Sequence, residues 1–196
     1  MKNKEIRHVH LEKLEIRSSQ DANEKIVEGY VNKFNQPSYL MRDRWGDEFI
    51  EVISEGAFTN TLATRTQKAL WNHNSDLVLG SVASNTLTLY TDGIGLRCSL
   101  KLPNTTWGND AYESIQRGDV DGMSFGFRCI EDMWSKTQYE GREIYKRTIL
   151  EAELFEVSPC VFPAYADSQI VCRSLEKHKE LAKEERIKIL KIKTLL

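Results

Sequence analysis

The chain has 196 residues, of which 40% are apolar and 29% charged, enough to bury the core of one domain and too apolar for a disordered segment. Its formal net charge of -2 argues against binding DNA or RNA by counterion release, which draws on a basic surplus. Cys98, Cys129, Cys160 and Cys172 form no C-x-x-C pair and His73 is the one histidine in the body of the chain. No metal or other cofactor is therefore expected, and the thiols are expected to be reduced and cytosolic behind a start without a leader. With no apolar run near the roughly 18 residues of a membrane span, a soluble protein is expected.

Residues 1–13 are dense in charge, and His8 and His10 within them read as exposed terminal histidines rather than metal ligands, because no third ligand is near. The first strand is expected over Leu11 to Ile16 and a second over Ile26 to Phe34, where β-forming residues are bounded by turn residues. A charged loop through Asp43 and Asp47 leads into a short segment, Phe49 to Ile53. Ser54 then reads as the cap of a short helix reaching Thr66, with Phe58 and Leu62 on one face.

Lys68 to Asn74 is an apolar approach to His73. Val82 to Tyr90 and Ile94 to Leu102 alternate apolar and polar residues around Thr91-Asp-Gly93, a hairpin. Asp110 to Arg117 reads as a helix capped by Gly118. Phe125 to Ile130 is predicted to be a strand, Met133 to Arg142 a polar hairpin loop, and Ile144 to Val161 a long strand. Strict alternation along that strand puts Glu156 with Ala152, Leu154 and Ser158, and puts Glu153 on the opposite face. From Ser174 the composition turns to Glu, Lys, Leu and Ile, which reads as a charged helical tail after a boundary near Arg173.

Gly122-Met-Ser-Phe-Gly126 matches G-x-S-x-G, the nucleophile elbow of α/β-hydrolases. Its context does not fit, because an elbow lies between a strand and a helix, whereas here a helix and turn precede Ser124 and a β-rich run follows. Triads are defined by geometry rather than chain order, so Ser124 as nucleophile, His73 as base and Glu156 as the orienting carboxylate remain chemically sufficient, with Glu153 as the alternative carboxylate. Backbone N–H groups at Phe125 and Gly126 are candidate oxyanion donors. Each signal also has a plain reading: a turn serine, a structural histidine, an edge or ion-paired glutamate.

Taken together, the motifs resemble the prohead maturation proteases of tailed bacteriophages, serine peptidases similar in fold to the herpesvirus assemblins. The resemblance runs through Glu28-Gly-Tyr-Val-Asn-Lys-Phe-Asn35, Phe49-Ile-Glu-Val-Ile-Ser-Glu-Gly-Ala-Phe58, Leu70-Trp-Asn-His-Asn74, Asp92-Gly-Ile-Gly-Leu96, Gly118-Asp-Val-Asp-Gly-Met-Ser-Phe-Gly-Phe127 and Leu154-Phe-Glu-Val-Ser-Pro-Cys-Val-Phe-Pro-Ala164. It implies a mainly β fold with flanking helices (α+β), a small, mostly antiparallel β-barrel of the assemblin type over residues 1–173, with the helical tail at 174–196. It also implies His73 and Ser124 as base and nucleophile. Assemblins use a second histidine as third member, and Glu156 takes that place here. Pro159-Cys160 departs from the pattern and is expected to bend or end the strand.

The function so implied is cleavage of scaffold and major capsid proteins inside the immature shell, in the bacterial host cytoplasm. Self-cleavage is implied too, with the tail as accessible site or packaging handle, and the likeness to assemblins admits a homodimer. Two other readings stay open from the residues: a non-enzymatic capsid or scaffold component, and a small-ester hydrolase resting on G-x-S-x-G alone.

Overall fold

Alternation dictates most of the strands: Leu96, Cys98, Leu100 and Leu102 are buried while Arg97 and Ser99 between them are partly solvated, the period of a half-buried strand. The computed structural model describes residues 4–9, 14–18, 24–43, 45–161 and 173–194. In chain order its elements are β1 (Glu5–Val9), β2 (Glu15–Ser18), β3 (Lys25–Lys33), β4 (Met41–Arg42), β5 (Glu48–Ile53), α1 (Thr59–Thr64), β6 (Lys68–Trp71), β7 (Asn74–Ser81), β8 (Leu87–Thr91), β9 (Gly95–Lys101), α2 (Thr106–Arg117), β10 (Gly122–Tyr139), β11 (Arg142–Cys160) and α3 (Arg173–Thr194). A 3₁₀ turn at Val82–Ser84 joins β7 to β8.

The strands form two sheets. In the larger, β1, β10, β11, β5 and β4 lie side by side and β6 pairs with both β11 and β7; the smaller has the order β2-β3-β9-β8. One core lies between them, built from Val27 and Val31 of β3, Leu96 and Leu100 of β9, Phe125 and Phe127 of β10, and Ile149, Leu154 and Val157 of β11. Phe58 enters it with its ring edge-on to Phe125 at 5.8 Å, and such a side chain contributes about 1.5–3 kcal/mol by leaving water. The fold is mainly β with helices at its flanks. Among the described residues both sheets are open, so two sheets sharing a core stand where a closed barrel was expected.

Several local expectations change. A strand lies ahead of the first one expected: β1 pairs antiparallel with β10, placing His8 opposite Ser124 and Ile6 opposite Gly126. Leu11 to Lys13, His10 and Cys172 lie outside the described residues. Ser54 does not cap α1, which begins after Phe58 without a side-chain cap; its hydroxyl instead donates to the Ile149 carbonyl at 2.7 Å. α2 begins earlier than the apolar pattern indicated, because Thr105 accepts from the Gly108 N–H at 3.2 Å, a side-chain cap.

The largest change concerns Met133 to Arg142. These residues are strand nearly throughout, and the loop is the pair Glu140–Gly141, both at positive φ (49° and 79°), as a two-residue primed turn requires. The polar composition that suggested a loop belongs to a solvated hairpin arm, whose buried side holds Trp134 edge-on against Phe49 at 5.3 Å. The arm is held by β5, which runs parallel to β11 with Tyr145 to Ile149 opposite Phe49 to Ile53. At the other end of β11 the strand passes through Pro159 and stops at Cys160.

Candidate active site

His73 sits in a turn that sequence alone did not reveal. β6 and β7 form a hairpin connected by Asn72 and His73, at φ 51° and 63°, left-handed backbone that costs non-glycine residues roughly 1–2 kcal/mol each. The conformation persists because β11 holds it. Glu156 and Val157 pair parallel with Lys68 and Ala69, Asn72 N–H donates to the Pro159 carbonyl at 3.1 Å, and His73 N–H donates to Ser158 Oγ at 3.3 Å.

The ring of His73, 14% exposed, places Nδ1 2.8 Å from Glu156 Oε1. Ser158 Oγ donates to Glu156 Oε2 at 2.7 Å, and Lys4 Nζ lies 3.1 Å from Oε1. Burial raises the Glu156 carboxyl pKa, but the hydrogen bond and charge of His73, then Ser158 and Lys4, outweigh it and hold the group below the usual carboxylate range. An ionised carboxylate only accepts hydrogen bonds, so Nδ1 carries the proton shared with it, and Nε2 is the ring nitrogen left for base chemistry.

A β-bulge sets the face on which Glu156 stands. Phe127 pairs with Leu154 and Gly126 with Glu156, so Phe155 is an extra residue on β11. Leu154 and Val157 consequently both face the core, while Glu153, Glu156 and Ser158 share the other face. The strict alternation expected from the sequence, with Glu153 and Glu156 on opposite faces, is therefore corrected. Glu153 is engaged elsewhere, paired with Arg65 at 2.5 Å and with Arg128.

Ser124 is the cross-strand partner of Ser158 and lies on the face of Glu156, diagonal to it. It is fully buried, and its hydroxyl donates to the Arg7 carbonyl of β1 at 2.9 Å. Its one proton is thus given to the Arg7 carbonyl. The backbone of Phe125 and Gly126 runs between β1 and β11, paired with both. A Cβ on Gly126 would collide with Glu156 Oε1 and Lys4 Cε, which explains the glycine better than an elbow does. Burial pushes the Cys98, Cys129 and Cys160 thiols up to about 12, so they are protonated and poor nucleophiles at neutral pH.

Ser158 is the residue that the sequence left without a role. Its signal was its place two residues after Glu156, which puts both side chains on one face of a strand.

The model of the caudovirus prohead serine protease family matches residues 12–181. The prohead protease of Enterobacteria phage HK97 is 32% identical over 165 residues, which cover 81% of this chain and 64% of that protein. The chain thus spans less than two thirds of the length of the curated relative it matches. No solved structure matches.

Proposed function

The chain belongs to the caudovirus prohead serine protease family, and from that premise we propose that it is a serine endopeptidase in which Ser124 is the nucleophile, His73 the base and Glu156 the carboxylate that orients the base. The observation that carries the reading is the 2.8 Å contact between His73 Nδ1 and Glu156 Oε1 on the face that also presents Ser124. Glu156 fixes the tautomer that leaves Nε2 to take the serine proton, and stabilises the imidazolium that forms. Oγ then adds to the substrate carbonyl carbon, His73 returns the proton to the departing amine, and water repeats the sequence to release the acyl group.

The proposed substrates are the capsid and scaffold proteins of the prohead, cut within the shell in the host cell. Residues 1–173 form the protease part of this reading. Residues 174–196 are its handle or self-cleavage site, supported by the solvent exposure of residues 180–189. Co-expression with the neighbouring capsid protein tests the activity: wild type should shorten the capsid chain, and equal shortening by Ser124→Ala would refute it. An intact tail by mass spectrometry throughout assembly would count against self-cleavage.

One observation favours the other reading, a non-enzymatic capsid component: Ser124 is buried and its hydroxyl is taken by Arg7. A serine-directed phosphonate distinguishes them. Labelling of Ser124 that disappears in His73→Ala supports the enzyme, and no labelling during capsid assembly supports the structural component.

A further inference from the structure

The serine proposed as nucleophile is covered by the chain's own N-terminal strand. β1 pairs along β10 from Glu5 opposite Phe127 to Val9 opposite Met123, and Lys4 pairs with Glu156. β11 occupies the other edge of β10, so an extended peptide presenting a carbonyl to Ser124 with backbone partners beside it has one place to add, the edge that β1 now fills. In that place Arg7 offers its carbonyl to Ser124 Oγ at 2.9 Å. It therefore stands where the residue before the scissile bond would stand.

The Arg7 side chain is bound as a selected group would be. It lines a cavity of about 250 Å³ together with Asn32, Ser38, Tyr39, Glu51 and Phe125. Its guanidinium forks onto Glu51, with Nε 2.5 Å from Oε1 and Nη2 2.9 Å from Oε2, and lies 5.3 Å from the centre of the Phe127 ring. Glu51 is 3% exposed. Burial raises its pKa, but the charges of Arg7 and Arg147 outweigh this and keep it below the usual carboxylate range. In the same cavity Asn32 Nδ2 is buried with no hydrogen-bond partner, a spare donor for a ligand acceptor.

We propose that β1 is a pseudosubstrate occupying the strand position of the cleaved peptide, and that Glu51 is the specificity determinant selecting a basic side chain immediately before the scissile bond. This rests on the peptidase reading above. In the seated strand the serine hydroxyl donates to the carbonyl oxygen instead of approaching its carbon, so the strand is held and not cut. β1 also leaves without orphaning Glu51, because Arg147 Nη1 stays 2.9 Å from its Oε2 and Arg147 Nε keeps Asp132 at 2.6 Å. The fork onto Glu51 favours arginine over lysine, which offers a single point charge.

The test incubates full-length wild type, Ser124→Ala, Arg7→Ala and Glu51→Gln with a mixed library of unstructured peptides and maps the cuts by mass spectrometry. Ser124-dependent cuts are expected after arginine first and lysine second. Arg7→Ala should cut severalfold faster with the same preference, and Glu51→Gln should lose at least tenfold in the ratio of cuts after basic to cuts after neutral residues. Reading a ratio keeps the comparison valid in a partly unfolded variant. Ser124-dependent cleavage without basic preference, or an unchanged ratio in Glu51→Gln, overturns the inference and leaves the peptidase reading standing. An Arg7→Ala protein that melts with wild type but is no faster removes the pseudosubstrate, and no Ser124-dependent cleavage by any variant overturns both.

Discussion

Glycine at position 126 is required by the side chain opposite it. The space a Cβ would take is filled by Glu156 Oε1 and Lys4 Cε, both ends of side chains that can move without disturbing the core. Gly126→Ala should therefore fold but melt below wild type, because the buried Glu156 carboxylate loses its partners, and its displacement from His73 lowers cleavage at least tenfold. Thermal melting and cleavage rate on the same preparation check this. The two glutamates of β11 separate equally well: Glu156→Gln should abolish most cleavage, whereas Glu153→Gln should keep it within a few fold and lose stability, because Arg65 and Arg128 would lose their buried partner. A Glu153→Gln protein as inactive as Glu156→Gln would contradict this assignment.

At the scale of elements, the site depends on two irregularities, the turn at Asn72–His73 and the bulge at Phe155. Asn72 tolerates left-handed backbone better than a β-branched residue does. Asn72→Val should cost roughly 1–2 kcal/mol in urea denaturation and reduce cleavage, with Asn72→Gly within about 0.5 kcal/mol of wild type. The same irregularities mark the limit of what the sequence conveys. The hairpin at Asp92-Gly93, the helix before Gly118 and the alternation of β9 were legible because apolar period and turn residues agree there. His73 was legible as a candidate by its isolation, but its turn carries no glycine to announce it. The bulge left no signal either, since Leu154, Phe155 and Glu156 read as ordinary alternation until the partner strand is known. The β10 side of the arm, from Met133 to Tyr139, reads as loop in the sequence because that stretch is polar and solvated, whereas the β11 side from Ile144 reads as strand.

At the scale of the whole molecule, buried charge among the described residues includes Glu156, Glu153, Asp43 and the network of Arg7, Arg147, Glu51, Glu5 and Asp132. Glu51 and Glu156 are both held below the ordinary value of 4.5. A carboxylate depressed in the folded state contributes stability that is present above its unfolded pKa and is lost as pH falls through the lower, folded value. The melting temperature should therefore stay level from neutral pH to about 5.5, and fall steeply below roughly 4.5. Glu51→Gln should flatten that acid limb, and an unaltered limb would show that the network is not what acid disrupts.

The parallel pairing of β6 with β11 has a kinetic consequence. Ser124, Glu156 and Ser158 all lie on one hairpin whose strands are joined by two residues, so their approach needs only local closure. His73 joins them through Glu156 opposite Lys68 and Val157 opposite Ala69, contacts between distant parts of the chain that close late because loop entropy is lost before they are gained. The nascent chain should thus form the strand of its proposed nucleophile before the proposed base is docked, and remain inert while partly folded. In refolding experiments, phosphonate reactivity at Ser124 should appear with the slowest phase and lag behind the early gain of β-structure seen by circular dichroism.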